Sequence, residues 1–251
     1  MKTGRYHILI VLSFLAIAIN GQSQDIHFSQ FWTTIHNINP ALAGYFDGNG
    51  RATINQRIQW NAVTKPYTTT LAAYDFPIAK RPYEQDLFGM GISAYRDVAG
   101  DSHFGTTQLN ISLSYIKAIN RRNNNFICAG AQFGGVQRNI TYSELYFDEQ
   151  FVNGRYDPNY ANSEQFPKSN FFYGDFSVGG AWVYQPRYRK SYQVGLSVSH
   201  LNRPYQSIFE DKFTRMDIKT MLTFTTQQKA NDDLDIYPML MASIQGTYRE
   251  F

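Results

Sequence analysis

A strict two-residue alternation recurs along this chain, and it limits the fold more than any other feature. In TQLNISLSYI, Leu109, Ile111, Leu113 and Tyr115 alternate with Gln108, Asn110, Ser112 and Ser114. In YQVGLSVSH, Tyr192, Val194, Leu196 and Val198 oppose Gln193, Gly195, Ser197 and Ser199. In FYGDFSVGGAWVY, Phe172, Phe176, Val178 and Trp182 oppose Tyr173, Asp175, Ser177 and Gly179. Successive strand side chains face opposite sides, so each segment predicts a ribbon with one apolar and one small-polar face. Further strands are expected at 51–60, 67–76, 87–96, 126–137, 214–226 and 236–248, nine in all. Several run nine to twelve residues, longer than a usual strand and long enough to cross a bilayer at a tilt. A soluble sandwich would have shorter strands and more Lys and Glu on its polar face. The expected fold is all-β, a transmembrane antiparallel β-barrel of the outer-membrane type.

The rest of the composition agrees. Aromatics make up 16% of the chain and charged residues only 17%, against about 25% charged in an ordinary soluble domain. Mean hydropathy is −0.39, which excludes a helical membrane protein. A net charge of +3 with no basic stripe gives no footprint for nucleic acid. At the N-terminus, Lys2 and Arg5 precede the apolar run Ile8–Ile19, and Gly21 and Ser23 supply small residues before Gln24. That pattern predicts a signal peptide over 1–23, its apolar run too short for a membrane helix. No cysteine lies near the cut, which excludes lipoprotein processing, and the lone Cys128 forms no internal disulfide. Segment 24–48 then reads as a periplasmic cap or plug, and 49–251 as the barrel domain.

Loop lengths provide a second check. Membrane barrels have short periplasmic turns and longer external loops. With a periplasmic N-terminus, 61–66 and the long connection 138–170 both fall outside, as required. The periplasmic turns are then 77–86, 118–125, 185–191 and 227–235. Three carry basic clusters: Lys80 and Arg81, Arg121 and Arg122, and Arg187, Arg189 and Lys190. These read either as interfacial anchors or as a docking face for a periplasmic partner. Nine strands is an odd number where barrels of this kind have an even one. Phe251 is also out of phase with Ala242, Ile244 and Tyr248 for a sealing terminal residue. The expectation is a chain that continues beyond this point.

Motifs of chemistry are missing: no GxSxG, HExxH, CxxC, Walker loop or GxGxxG occurs. GMGIS at 89–93 reads as close packing within a strand. His27 and His36 lack a third ligand nearby, and Asp232, Asp233 and Asp235 lack the spacing and glycine of a calcium loop. Asp97, Asp101 and His103 could mimic a hydrolytic set, but no Ser or Cys nucleophile context supports it. Neither catalytic residues nor a metal or cofactor site is expected.

The segment DIHFSQFWTTIHNINPALAG, Asp25 to Gly44, resembles the N-terminal "D…FSQ…NPA.AG" signature of the PorP/SprF family. RATINQRIQWNAVTKPYTTTLAAYDFPI is similar to that family's arginine-then-Gln-Trp motif, here Arg57, Gln59 and Trp60, with Asn55-Gln56 where a tyrosine is commoner. FGMGISAYRDVAG and GLSVSHLNRP, Gly195 to Pro204, extend the resemblance in order. It implies an outer-membrane barrel of the type IX secretion system of gliding and secreting Bacteroidetes. Such proteins help export, or hold at the surface, large adhesins and other cargo bearing a C-terminal sorting domain. They couple to periplasmic OmpA-like or ring components, and no catalytic residue carries over.

Residues 25–44 are too irregular to cross lipid, where unpaired backbone groups are prohibitive. The segment is expected to tuck into the barrel mouth or lumen, with Phe28, Phe31 and Trp32 packing inside. Asn39 and Pro40 would turn the chain into the first strand. In the long loop, Tyr142, Tyr146, Phe147, Phe151 and Tyr156 are candidate partner contacts or a self-packed cluster. Two functions stand: a secretion or adhesin-tethering barrel, and a general diffusion porin. The inward faces carry mainly Ser, Gly, Gln, Asn and Thr, not the charged rings of a selective pore.

Overall fold

The computed structural model describes residues 31–250, apart from 64, 81–85, 101, 143–144, 146, 153, 158–167 and 207–214. Its strands, in chain order, are β1 (Arg51–Gln59), β2 (Tyr67–Lys80), β3 (Leu87–Ala99), β4 (Phe104–Ala118) and β5 (Asn125–Asn139). There follow β6 (Phe151–Val152), β7 (Arg155–Tyr156), β8 (Asn170–Arg187), β9 (Lys190–Ser199) and β10 (Lys219–Lys229). The last are β11 (Asp235–Ile236), β12 (Met239–Gln245) and β13 (Tyr248–Glu250). Eleven of them form one sheet in the order β1-β2-β3-β4-β5-β8-β9-β10-β12-β13, with β11 paired to β10 off this path. Its pairings are antiparallel, and β6 and β7 form a separate hairpin inside the long connection. Among the described residues no helix is long and apolar enough to cross a membrane. Strands of 13 to 18 residues, β2 to β5 and β8, are long enough to do so.

The expected nine strands are all present, and two need correcting. The segment expected at 236–248 is three pieces. Pro238 cannot donate to a ladder, which separates β11 from β12. Gly246, at φ +57, then turns the chain back into β13. The strand expected from 214 starts at Lys219, because Arg215 only bridges Tyr205 and the Met216 N–H donates to the Pro204 carbonyl. The sheet path runs from β1 to β13 without closing on itself.

The two faces invert the pattern of a soluble protein. On β4, Leu109, Ile111 and Leu113 are 56, 45 and 54% exposed, whereas Asn110, Ser112 and Ser114 are 2, 1 and 5% exposed. Apolar side chains left outward along whole strands are stable against lipid, not water. Aromatics gather at one end of that wall: Trp182 stacks on Tyr184, Tyr184 on Tyr192, and Phe88 lies 4.8 Å from Tyr115. Amphipathic rings favour the membrane boundary. The strands at this end are joined by short turns. At the other end lie the connections 140–169 and 200–218.

Candidate functional site

The buried polar face holds the N-terminal segment. A 3₁₀ turn at Phe31–Thr33, one α-helical turn at Ile35–Ile38 and a 3₁₀ turn at Pro40–Leu42 follow one another without forming a strand. Asn39 is the pivot. Its backbone is extended, its side-chain oxygen accepts from the Ala41 N–H at 3.0 Å, and Pro40 occupies the first helical position. The same amide donates to the carbonyls of Gly180 at 3.0 Å and Leu196 at 3.4 Å, across two strands of the wall. Asn39, Pro40, Ala41, Leu42 and Ala43 are all buried.

An irregular segment needs partners for its backbone, and the wall supplies them. The Ser197 hydroxyl donates to the Ile38 carbonyl, the Gln132 amide to the His36 carbonyl at 3.1 Å, and the Ser114 hydroxyl to the Ala43 carbonyl. Asp75, fully buried on β2, gathers the exit of the segment. It accepts from the Gly44 N–H at 2.8 Å and from Arg51 at 3.0 and 2.6 Å. His36 Nε2 lies 3.4 Å from the same carboxylate. Gly44, at φ +72, makes the turn that brings its N–H there.

Space for the segment comes from glycine. A Cβ on Gly130 would stand 2.6 Å from the Ala41 backbone, one on Gly89 2.1 Å from the Ala43 carbonyl, and one on Gly179 2.0 Å from Asn39 Oδ1. The GMGIS glycines therefore serve a close approach, to the inserted segment rather than between strands. Ala41 and Leu42 then pack with Ile116, Cys128, Ala181 and Val183 into the main apolar cluster, flanked by Tyr45 and Phe126.

On the long-loop side of the segment the inner face is a polar network. Tyr95 donates to Gln108 at 2.5 Å, Gln108 to Asn110 at 2.6 Å, and buried Asp175 sits 2.9 Å from His200 Nδ1. Asn37 faces these groups across a cavity of only about 40 Å³. On the short-turn side lies a larger chamber of about 840 Å³, lined in part by Tyr45, Phe46, Asp86, Phe126, Arg187 and Lys190. Burial pushes the Tyr45 phenol well above its ordinary value, so it stays protonated beside Gln185 at the chamber's roof. Arg189 ties this mouth together through Asp235 at 2.7 Å.

The residues singled out from sequence separate into two places. Asn39 and Pro40 sit at the centre of the inserted segment, but Gly44 and the residues after it, not Asn39-Pro40, lead into β1. Trp32, expected inside, is 44% exposed. Phe28 and His27, and the side chain of Phe31, lie outside the described residues. Arg57 is half-buried on β1, and Trp60 is exposed with φ 63 in the turn after it. Across the molecule, Tyr142 donates to the Lys168 carbonyl at 2.8 Å and the Phe147 N–H to Gln150 at 3.3 Å. Phe151 packs at 5.5 Å on Tyr156 across the β6–β7 hairpin, and Tyr146 lies outside the described residues. Sequence reasoning missed Asp75 and Arg51. The available signal was a lone acid interrupting the inward face of TTTLAAYDFPI.

A long-stranded antiparallel sheet, greased outside and stoppered inside by its own N-terminal segment, defines an all-β membrane protein of the barrel class. The chain belongs to the PorP/SprF family of type IX secretion system membrane proteins, whose model matches residues 20–250. No curated protein and no solved structure matches it.

Proposed function

We propose that the protein is an outer-membrane component of the type IX secretion system, exported by a cleaved signal peptide. It acts by protein contact, without catalysis, to export large cargo or hold it at the surface, gliding-associated adhesins with a C-terminal sorting domain included. The observation that carries this reading, beside family membership, is the seated segment Thr34–Ala43. It occupies the inner face that a general diffusion porin keeps open to solute. What remains for binding are the two ends. The long-loop end carries the β6–β7 hairpin with Phe151, 54% exposed, and suits cargo. The chamber and basic turns at the other end suit a periplasmic OmpA-like or ring component.

The test is affinity isolation of the tagged full chain from detergent-solubilised membranes, paired with conductance in planar bilayers. Co-isolation of a C-terminally sorted protein with a silent bilayer supports the proposal. Solute-sized conductance with no companion protein returns the porin.

A further inference from the structure

Register places one cation on the lipid-facing wall at a boundary between polar and apolar rows. Across β1 to β5, the outward residues Gln56, Thr70, Arg96, Thr107 and Gln137 lie opposite one another. The next outward row towards the short-turn end is Ile54, Ala72, Ala94, Leu109 and Gly135, and the one after it is Ala52, Tyr74, Ile92, Ile111 and Phe133. The first row is polar throughout and the next two are apolar or aromatic, the change expected where headgroups give way to acyl chains.

Arg96 is exposed on this wall. Its neighbour Asp97 faces the other way and accepts a hydrogen bond from the Thr69 hydroxyl at 2.5 Å. Among the described residues no carboxylate lies within ion-pair distance of Arg96. A guanidinium facing lipid is costly unless an anion meets it, and none of the described residues supplies that counter-charge, whereas a lipid headgroup at this row would. Directly beside it the wall is dented. A largely apolar cavity of about 440 Å³ is lined by Thr70, Ala72, Ala94, Arg96, Val98 and Thr107.

We propose that this dent binds one phosphate-headed lipid. The phosphate sits on Arg96 with the Thr70 and Thr107 hydroxyls beside it, and an acyl chain lies over Ala72 and Ala94. The charge complementarity and the apolar floor belong to the same row boundary, which is why a lipid fits better than a soluble anion. This site depends on the membrane fold alone and is independent of the secretion role.

The experiment is native mass spectrometry of the full chain released from detergent micelles after equilibration with phosphatidylglycerol, or with diacylglycerol of the same chain length. Folding of each variant is checked by its heat-modifiable mobility on gels. Arg96→Gln should lower retention of phosphatidylglycerol about tenfold, the size of one charge-assisted contact. Arg96→Lys should restore part of it, and Ala94→Leu, which fills the dent, should lower it with the charge intact. Diacylglycerol should be held weakly and equally by all forms. Equal retention of phosphatidylglycerol by wild type, Arg96→Gln and Ala94→Leu would overturn the site. So would a lipid-free dimer that Ala94→Leu dissociates, since it would assign the dent to a second copy of the chain.

Discussion

The inserted segment and the long connection are both irregular, yet they are held in opposite ways. Segment 34–44 makes its hydrogen bonds to the wall, through Gln132, Ser114, Ser197 and Asp75. Among its described residues, connection 140–169 bonds mainly to itself, through Tyr142 with Lys168, Phe147 with Gln150 and the β6–β7 hairpin, and reaches the β3–β4 turn through the Thr141 N–H, which donates to the Ser102 carbonyl at 2.8 Å. Irregular backbone at membrane depth must borrow its partners from protein, whereas a loop in water need not. The first is therefore part of the fold and the second is a surface laid on it.

Substitutions should separate the two regions by size of effect. The largest belongs to Asp75→Asn, which strips the buried counter-charge from Arg51 and weakens the anchor of Gly44. Denaturant unfolding in micelles should show a loss of about 3 kcal/mol, the upper end for hydrogen bonds made to a buried charged group. A shift indistinguishable from wild type would remove Asp75 as the anchor. Next comes Gly130→Val, whose side chain collides with the backbone of Ala41. It should cost about 1–3 kcal/mol through overpacking, and limited proteolysis should then cut within 34–44. Asn39→Ala loses a cap and leaves the Gly180 and Leu196 carbonyls short of a donor, for about 1–2 kcal/mol in the same unfolding assay. Smallest is Phe151→Ala on the exposed hairpin, expected within about 0.5 kcal/mol of wild type. A larger loss there would mean that the loop, too, is built into the wall.

How much of this was legible beforehand follows the range of the interactions. Alternation is local, so the strands at 107–116 and 192–200 could be read directly, each beside its neighbours in register. Where alternation and ladder chemistry disagree, sequence reading erred. Met216 and Ile218 continue the period into β10, but the Met216 N–H donates to the Pro204 carbonyl and the ladder begins only at Lys219. Met239 to Tyr248 looks like one ribbon until Gly246 turns it. The seat of the segment was illegible because it is nonlocal. Nothing near Gly130 announces that Ala41 must pass over it, and nothing near Ser197 announces the Ile38 carbonyl. Asn39-Pro40 was recognisable as a turn-forming dipeptide, while its role as the pivot depends on Gly180 and Leu196, contacts that only the assembled sheet creates.

Underlying all of this is the assignment of the two faces, and spin labels along β4 test it most directly. With Cys128 replaced by alanine, single cysteines are labelled at 109 to 114 in the full chain reconstituted in vesicles. Labels at 109, 111 and 113 should be broadened by oxygen dissolved in the bilayer, and those at 110, 112 and 114 should be shielded from it. Reversed or uniform accessibility along the strand would contradict the greased wall and, with it, the seat of the inserted segment.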